Sequence, residues 1–321
     1  MSSSFYLPIL GTILFCIPSL AFAETNIRLA SWNIANFHHH VDVELREGIG
    51  TKRQQADFEA LKRYAEGLAA DVVALQEVGT QEAVARLFPA SEYQTFIESR
   101  YVEDTQAAAS KDIHAAVVVR KRDDIKVLEQ RDILGLQIAD VDEDGGTHYT
   151  RRGTALKLDV FGTSVWVVSV HLKSSCSTQA APDQSTDTDC LIFWQQRLPL
   201  KEFIDERVAE HTAFIIAGDF NRRFRQFNFQ DPMWRFLNGE NLDEPLLVAY
   251  PETVTRKCPT RLGASTQPID WIVMDAKVSD WFKEGSYRVT RSKFADVSAA
   301  GGQGSDRLSD HCPIQIDLVL P

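Results

Sequence analysis

The chain has 321 residues, with 45 acidic against 34 basic side chains and a formal net charge of −11. That balance excludes a protein that holds nucleic acid by bulk charge, because polyanion binding rests on a surplus of Lys and Arg. It leaves room for a local basic strip or a bound cation, and an acidic pocket is what a divalent metal needs.

Residues 1–23 carry no charged side chain and run through an apolar core, 9–20, to Ala21-Phe22-Ala23. An apolar segment of this length ending in an A-x-A-like site predicts a secretory signal peptide, although its positive n-region is only the amino terminus. It is too short and wrongly flanked for a good membrane span. The expected product is one domain over 24–321, secreted or periplasmic, monomeric and without a transmembrane segment. No repeat, flexible linker or second composition regime divides it. With Cys16 in the leader, Cys176, Cys190, Cys258 and Cys312 remain. An even number in an exported chain favours two disulfides, and no two have zinc-site spacing.

Residues 27–31 form a short apolar strand leading into Trp32-Asn33, and 37–50 is a polar loop containing His38-His39-His40. A solvated loop is the favoured reading there over a metal role, since three adjacent histidines cannot all face one ion on regular structure. Thr51 opens a helix, with Gln54 completing a capping box. Phe58, Leu61, Ala65 and Leu68 recur at helical spacing, opposite Lys62, Arg63 and Glu66. Residues 71–78 are a buried strand ending at Glu77. A short helix (81–87), a strand (93–97) and a polar loop (102–111) follow. The strand 115–120 is expected to pair with 125–129. In 140–146, Asp140, Asp142, Asp144 and Gly145 mimic an EF-hand start, but Arg151 stands where the twelfth-position glutamate is needed. A solvated turn is therefore favoured over a weak calcium site.

Residues 153–160 and 164–170 form a hairpin across Phe161-Gly162-Thr163, ending at His171-Leu172-Lys173-Ser174. The polar stretch 175–189 is a surface loop between Cys176 and Cys190. Residues 191–210 are mostly helical, interrupted or restarted at Pro199. A buried strand then runs into Gly218-Asp219-Phe220-Asn221. If it continues, Asp219 and Asn221 share a face, and Gly218 admits another backbone or a substrate; the alternative is a strand ending in an Asx turn. Residues 222–262 are irregular, with a helix near 233–237. A strand over 267–274 carries Asp270, and the Gly-rich loop 296–308 leads through Ser309-Asp310-His311 into the last strand, 313–320. The pattern is an α/β domain with many strands and few helices.

Asn33, Glu77, His171, Asp219 with Asn221, Asp310 with His311, and Asp270 all border apolar strands. One charged residue at a strand end is where the chain meets water. Six such places with acid, amide and imidazole chemistry indicate one pocket.

The stretches Ser31-Trp32-Asn33-Ile34, Leu75-Gln76-Glu77-Val78, Ser169-Val170-His171-Leu172-Lys173, Gly218-Asp219-Phe220-Asn221, Ile269-Asp270 and Ser309-Asp310-His311 occur in the order seen in a known family. The chain resembles the endonuclease/exonuclease/phosphatase superfamily, which includes deoxyribonuclease I, apurinic endonucleases, neutral sphingomyelinases and inositol polyphosphate phosphatases. The resemblance implies a four-layer sandwich, two mixed β-sheets packed face to face with helices outside. It implies Glu77 as main metal ligand, with Asn33 and Asp310 beside it. His311, oriented by Asp270, would handle protons and contact the scissile phosphate. Asp219 and Asn221 would hold or activate the attacking water, and His171 would be the second imidazole. His171 argues against the apurinic branch. Ala35, where some relatives carry an acid, casts doubt on a two-metal scheme. Arg151 and Arg152 stand where the deoxyribonuclease branch contacts phosphate, with surface charge as the alternative. Glu98 would pair with His171, or simply end its strand in solvent.

Carboxylate and amide ligands suit magnesium, with manganese or calcium as alternatives. The cysteines are expected to pair as Cys176–Cys190, closing a polar loop without a core of its own, and Cys258–Cys312, partly by elimination. The function expected is an exported metal-dependent phosphodiesterase, a nuclease hydrolysing DNA or RNA by metal-activated water attack. Alternatives are a phospholipid or sugar-phosphate phosphoesterase and, from another class, a non-catalytic binding module. Arg222, Arg223 and Arg225 offer a modest basic strip for nucleic acid; 224–229 is a weak candidate for a membrane-contact hairpin.

Overall fold

The structure is a computed structural model and describes residues 25–45, 52–104, 112–141, 145–176, 182–239, 245–250, 268–291 and 308–321. The leader, Asp142, Asp144 and Cys258 lie outside the described residues. In chain order the elements are β1 (Thr25–Phe37), α1 (Gln55–Leu68), β2 (Val72–Val78), α2 (Gln81–Leu87), β3 (Tyr93–Ile97), α3 (Ser99–Asp104), β4 (His114–Arg120), β5 (Ile125–Ile133), β6 (Ala139–Val141), β7 (Thr147–Tyr149), β8 (Gly153–Val160) and β9 (Thr163–His171). They continue with α4 (Thr188–Gln195), α5 (Arg197–Ala209), β10 (Ala213–Asp219), α6 (Pro232–Asn238), β11 (Leu247–Val248), β12 (Asp270–Met274), α7 (Ala276–Trp281), β13 (Arg288–Val289) and β14 (Ile314–Leu320).

Among the described residues these form two six-stranded mixed sheets, ordered β13-β14-β1-β2-β4-β3 and β11-β12-β10-β9-β8-β5, with β6 and β7 forming a separate two-stranded pair. Strand alternation builds the layers. Along β1, Ile27 and Leu29 face the second sheet while Ala30 and Trp32 face outward. Along β10, Ala213, Ile215 and Ala217 turn inward while Phe214 and Ile216 face outward. The outward side of the first sheet is covered by Phe58, Leu61 and Leu68 of α1 with Val84 and Leu87 of α2. Phe193 of α4, Phe203 of α5 and Trp234 of α6 cover the second. Each fully buried large apolar side chain contributes roughly 1.5–3 kcal/mol, so all three apolar layers hold the four-layer sandwich together.

The topology also decides where polar residues gather. β1 and β2 run parallel, as do β9 and β10, so all four carboxyl ends reach one rim. β14 and β12 run antiparallel to their neighbours β1 and β10 and therefore start at that rim. Just below it, Ser169 donates to the Leu75 carbonyl at 2.8 Å and accepts from Gln76 at 3.0 Å, tying the sheets together.

Several expectations need correction. β5 pairs with β8, not with β4, because both edges of β4 are taken by β2 and β3. α1 starts at Gln55 with Gln54 as its N-cap, and Asp57 at N3 supplies the capping-box acid, its carboxylate accepting the Gln54 N–H at 2.7 Å; Thr51, the cap expected from sequence, lies outside the described residues. The break in 191–210 falls at Gln196, and Pro199 sits inside the first turn of α5, where a missing N–H does no harm. His38 is buried against the Val43 carbonyl and His39 meets Thr80 at 2.9 Å, so these two side chains pack, while His40 and the residues up to Val43 are exposed as expected of a solvated loop. In the acidic turn, Asp140 is held by Lys173 at 2.8 Å. β11, α7 and β13 were not foreseen.

The β8–β9 hairpin turns through Phe161 and Gly162, with φ of 53° and 84°. Two successive positive values define the turn whose twist matches its strands. Cys176 and Cys190 form a disulfide, and Cys312 is disulfide-bonded.

Candidate active site

The rim assembles from both sheets. Asn33 ends the regular part of β1, and its Nδ2 donates to Glu77 Oε1 at 3.0 Å and to Asp219 Oδ2 at 3.1 Å. One amide thus bridges a carboxylate of each sheet. Its Oδ1 accepts the Ala35 N–H at 3.0 Å, which fixes the amide's orientation. Glu77 Oε2 accepts the Asn36 N–H at 2.8 Å. Glu77 has φ of 60°, a strained value for such a residue at a strand end.

Asp219 lies at the centre, only 1% exposed. The Nε2 atoms of His171 and His311 each stand 3.7 Å from its Oδ2. His171 Nε2 is also 3.8 Å from Glu77 Oε1. His311 Nδ1 shares a 2.8 Å hydrogen bond with Asp270 Oδ2. Ser309 Oγ donates to the Asn33 carbonyl at 2.7 Å and accepts the His311 N–H at 3.0 Å, anchoring the last loop to β1. A Cβ at Gly218 would sit 2.0 Å from the Val170 carbonyl oxygen, so glycine is required for β10 to lie against β9 here.

Burial sets the titration. It pushes Asp219 up to about 7, with Asp270 adding to the rise and His311 opposing it. Burial, then the charges of Arg151 and His311, hold His171 well below the ordinary histidine value, so it is neutral. Burial would lower His311 too, but the Asp270 and Asp219 carboxylates outweigh it and keep the ring well above its ordinary value. A carboxylate poised near neutrality therefore sits between a neutral imidazole and a cationic one, which is a proton-handling arrangement.

Asn33, Glu77, His171, Asp219, Asp270 and His311 come together. Arg151 joins them, its Nη2 at 3.1 Å and 3.2 Å from the two ring nitrogens of His171. Asp310 stands at the outer lip, its side chain 53% exposed and Oδ1 4.0 Å from His311 Nε2. Asn221 departs from the shared-face expectation. The strand stops at Asp219, and Asn221, with φ of 51°, gives its backbone N–H to Asp219 Oδ1 at 2.8 Å. That is the Asx turn, and its side-chain Nδ2 goes to the Leu172 carbonyl at 3.0 Å. Arg152 turns away from the cluster to Gln137 and Ser99, each at 2.7 Å. Glu98 does not pair with His171. It meets His114 at 2.8 Å and accepts the Arg152 N–H at 2.7 Å. Arg222 is buried in a 2.5 Å ion pair with Asp231, which shortens the basic strip to Arg223 and Arg225. Phe224 is core, stacked on Trp271, and offers nothing to a membrane.

Among the described residues, Asp219, Asp270 and His311 place potential ligand atoms within 4.8 Å of one another. Glu77 and Asp219 add a second crowding of negative charge, since both approach the Asn33 amide nitrogen. Two carboxylates this near favour a shared cation or proton. Carboxylate oxygens without thiolate suit a hard divalent ion, so the donor set fits the metal expected from sequence. Two participants escaped the sequence reading. The Asn36 backbone N–H carries no side-chain signal. Arg53 had one: a cation beside a helix N-terminus opposes the helix dipole, so it needed another partner.

The fold and rim define a two-sheet α/β sandwich with an acid–imidazole centre where the sheets meet, a hydrolase architecture. The chain belongs to the Endonuclease/Exonuclease/phosphatase family, whose family model matches residues 30–311. An endonuclease/exonuclease/phosphatase from Bacteroides vulgatus superposes with a TM-score of 0.60 at 17% identity, over 93% of this chain and 100% of that one. The human Nocturnin catalytic domain with bound sulfate anion gives 0.56 at 14% identity, over 92% and 94%. D. rerio TDP2 complexed with single strand DNA product gives 0.54 at 14% identity, over 92% and 100%. At these identities the likeness is one of fold. No curated protein matches the sequence closely enough to count as a relative.

Proposed function

We propose that the protein is an exported, metal-dependent phosphodiesterase that hydrolyses nucleic acid. The observation that carries this reading is Asp219 Oδ2, held 3.7 Å from the Nε2 atoms of both His171 and His311. Asp219 takes a proton from the attacking water, a role suited to a carboxylate raised to about 7. The Asn221 backbone N–H holds the other Asp219 oxygen in place. His311, kept cationic by Asp270, donates to a non-bridging phosphoryl oxygen where negative charge builds up. Neutral His171 and the Arg151 guanidinium face the same phosphate from the β9 side.

Glu77 would hold the divalent cation with Asp310, and Asn33 would contribute through its amide oxygen, which keeps one lone pair beyond its bond to Ala35. The bound cation supplies neutralisation of the phosphate charge. Nucleic acid as substrate is supported by Arg223 and Arg225 following Asn221. Arg225 lies 4.2 Å over the Tyr250 ring, a cationic and aromatic surface beside the rim. The fold likeness to a TDP2 complexed with single-strand DNA product agrees with this. Residues 1–23 are the export leader; N-terminal sequencing of protein recovered outside the cytoplasm should begin near Glu24, and an intact Met1 would reject export by cleavage.

The test of the activity is turnover of DNA, RNA, sphingomyelin and phosphoinositides, each with magnesium and with chelator. Magnesium-dependent cleavage of DNA or RNA is expected. Cleavage confined to the lipids would replace the substrate, and no cleavage of any would favour a binding module.

A further inference from the structure

Arg53 precedes α1 in sequence and is only 1% exposed. Its guanidinium reaches two separate loops of the rim. Nη2 donates to the Ile34 and Ala35 carbonyls, both at 2.7 Å, and to the Leu308 carbonyl at 3.2 Å; Nη1 donates to the Asn36 carbonyl at 3.1 Å. The Phe37 ring lies 5.3 Å from the guanidinium carbon. The guanidinium spreads its donors over two coplanar nitrogens, Nη2 reaching Ile34, Ala35 and Leu308 while Nη1 reaches Asn36, a span that the single nitrogen of a lysine does not reproduce. Burial lowers this group to about 10, with Asp57, Glu77 and Asp310 countering, so it stays a cation at neutral pH.

The consequence lies on the other side of the same peptides. A trans peptide points its C=O and N–H in opposite directions. The peptide whose carbonyl is Ile34 O carries the Ala35 N–H, which donates to Asn33 Oδ1. The peptide whose carbonyl is Ala35 O carries the Asn36 N–H, which donates to Glu77 Oε2. Holding these carbonyls toward Arg53 therefore aims two amides at the site's amide and its carboxylate. It also stabilises the positive φ of Ala35 and Asn36, 54° and 49°, which a β-strand would not adopt unaided. The bond to Leu308 fixes the residue before Ser309, whose hydroxyl oxygen accepts the His311 backbone N–H.

We infer that Arg53 is a positioning residue for the active centre, setting Asn33 and Glu77 through the Ile34–Asn36 peptides and the His311 loop through Leu308. The inference rests on reading the rim cluster as the catalytic centre, and its test separates the two.

Arg53→Met and Arg53→Lys are compared with Leu61→Ala, a core truncation on the outer face of α1. Amide hydrogen exchange at Ala35 and Asn36, read by NMR, reports the peptide orientation directly. Phosphodiester kcat and KM report its use. Both Arg53 variants should lose protection at Ala35 and Asn36 by about tenfold or more. Their kcat should fall by about tenfold or more while KM changes little, as expected when a group that acts only in the transition state is misplaced. Leu61→Ala, at an equal or larger fall in melting temperature, should keep both readouts. Should Arg53→Met not fold, Arg53→Lys carries the comparison. Retained protection in the Arg53 variants, or equal losses in Leu61→Ala, would overturn the inference. Lost protection at wild-type kcat would also overturn it. A wild-type protein inactive on every phosphodiester would reject the proposed function instead, and the exchange readout would still decide whether Arg53 sets these peptides.

Discussion

Asp270 and His311 come from different sheets and meet in a 2.8 Å hydrogen bond, Oδ2 to Nδ1, at the rim where β12 begins and the last loop ends. The bond fixes which ring nitrogen faces Asp219 and, with Asp219, raises the imidazole's affinity for its proton. Asp270→Asn should fold normally, because the residue lies at the edge of the core. It should cut kcat by roughly 10²–10⁴-fold, the range that positioned proton transfer supplies. Thermal melting and steady-state kinetics on one sample check both halves. A large loss of stability would make the residue structural.

Gly218 is a second precise requirement. Any side chain there would place its Cβ 2.0 Å from the Val170 carbonyl, a backbone atom that cannot swing aside. Gly218→Ala should destabilise by about 3 kcal/mol or prevent folding, the upper end of what overpacking costs. Denaturant midpoints measure it. A variant of near-normal stability would mean that β9 and β10 are not held as described.

Much of this rim was legible in the sequence because its central strands are continuous apolar runs that stop abruptly. Leu75-Gln76-Glu77, Val170-His171 and Gly218-Asp219 each show where a buried parallel strand reaches a polar end. What was not legible depends on partners distant in sequence. The pairing of β5 is decided by which sheet edge is free. Glu98 was misplaced because Arg151, Glu77 and Asp219 surround His171, while His114 on the neighbouring strand claims Glu98. Arg222 reads as surface charge until Asp231, nine residues on, is seen to bury it. Arg53 shows only that a cation stands at an unfavourable helix end, since the carbonyls that claim it belong to an irregular turn without a local pattern.

In the metal-free protein, stability should fall as pH rises through about 7. A carboxyl whose folded pKa lies above its unfolded value holds its proton more tightly when folded. Its stabilising contribution is full below about pH 4 and is lost as pH climbs through the folded pKa. His311, also raised, acts in the same direction. Asp219→Asn should flatten this profile and stabilise the metal-free protein at about pH 8, by on the order of 2 kcal/mol. Added magnesium should stabilise the wild type at that pH by binding the folded state alone. Unfolding curves at several pH values, with and without the ion, test this. A pH profile unchanged by Asp219→Asn would refute the assignment of its titration.

The disulfide between Cys176 and Cys190 closes a segment with a sequence separation of 14. Replacing both with serine should cost about 3 kcal/mol, as expected from loop-closure entropy. Both cysteines pack in the outer apolar layer of the second sheet, so kcat on folded protein should be retained. Equilibrium unfolding of the double variant, paired with turnover, checks this, and a loss of turnover at full folding would show that the loop serves the site.

The most direct measurement of the central claim is phosphodiester turnover by wild type, Glu77→Ala and His311→Ala across a magnesium titration. Glu77→Ala should weaken the ion's hold, so its activity should be low at limiting magnesium and partly return at high magnesium. His311→Ala removes a proton-handling and phosphate-binding group together, so its deficit should exceed roughly 10²–10⁴-fold and persist at every magnesium concentration. Near-normal turnover by both variants at limiting magnesium would contradict the account.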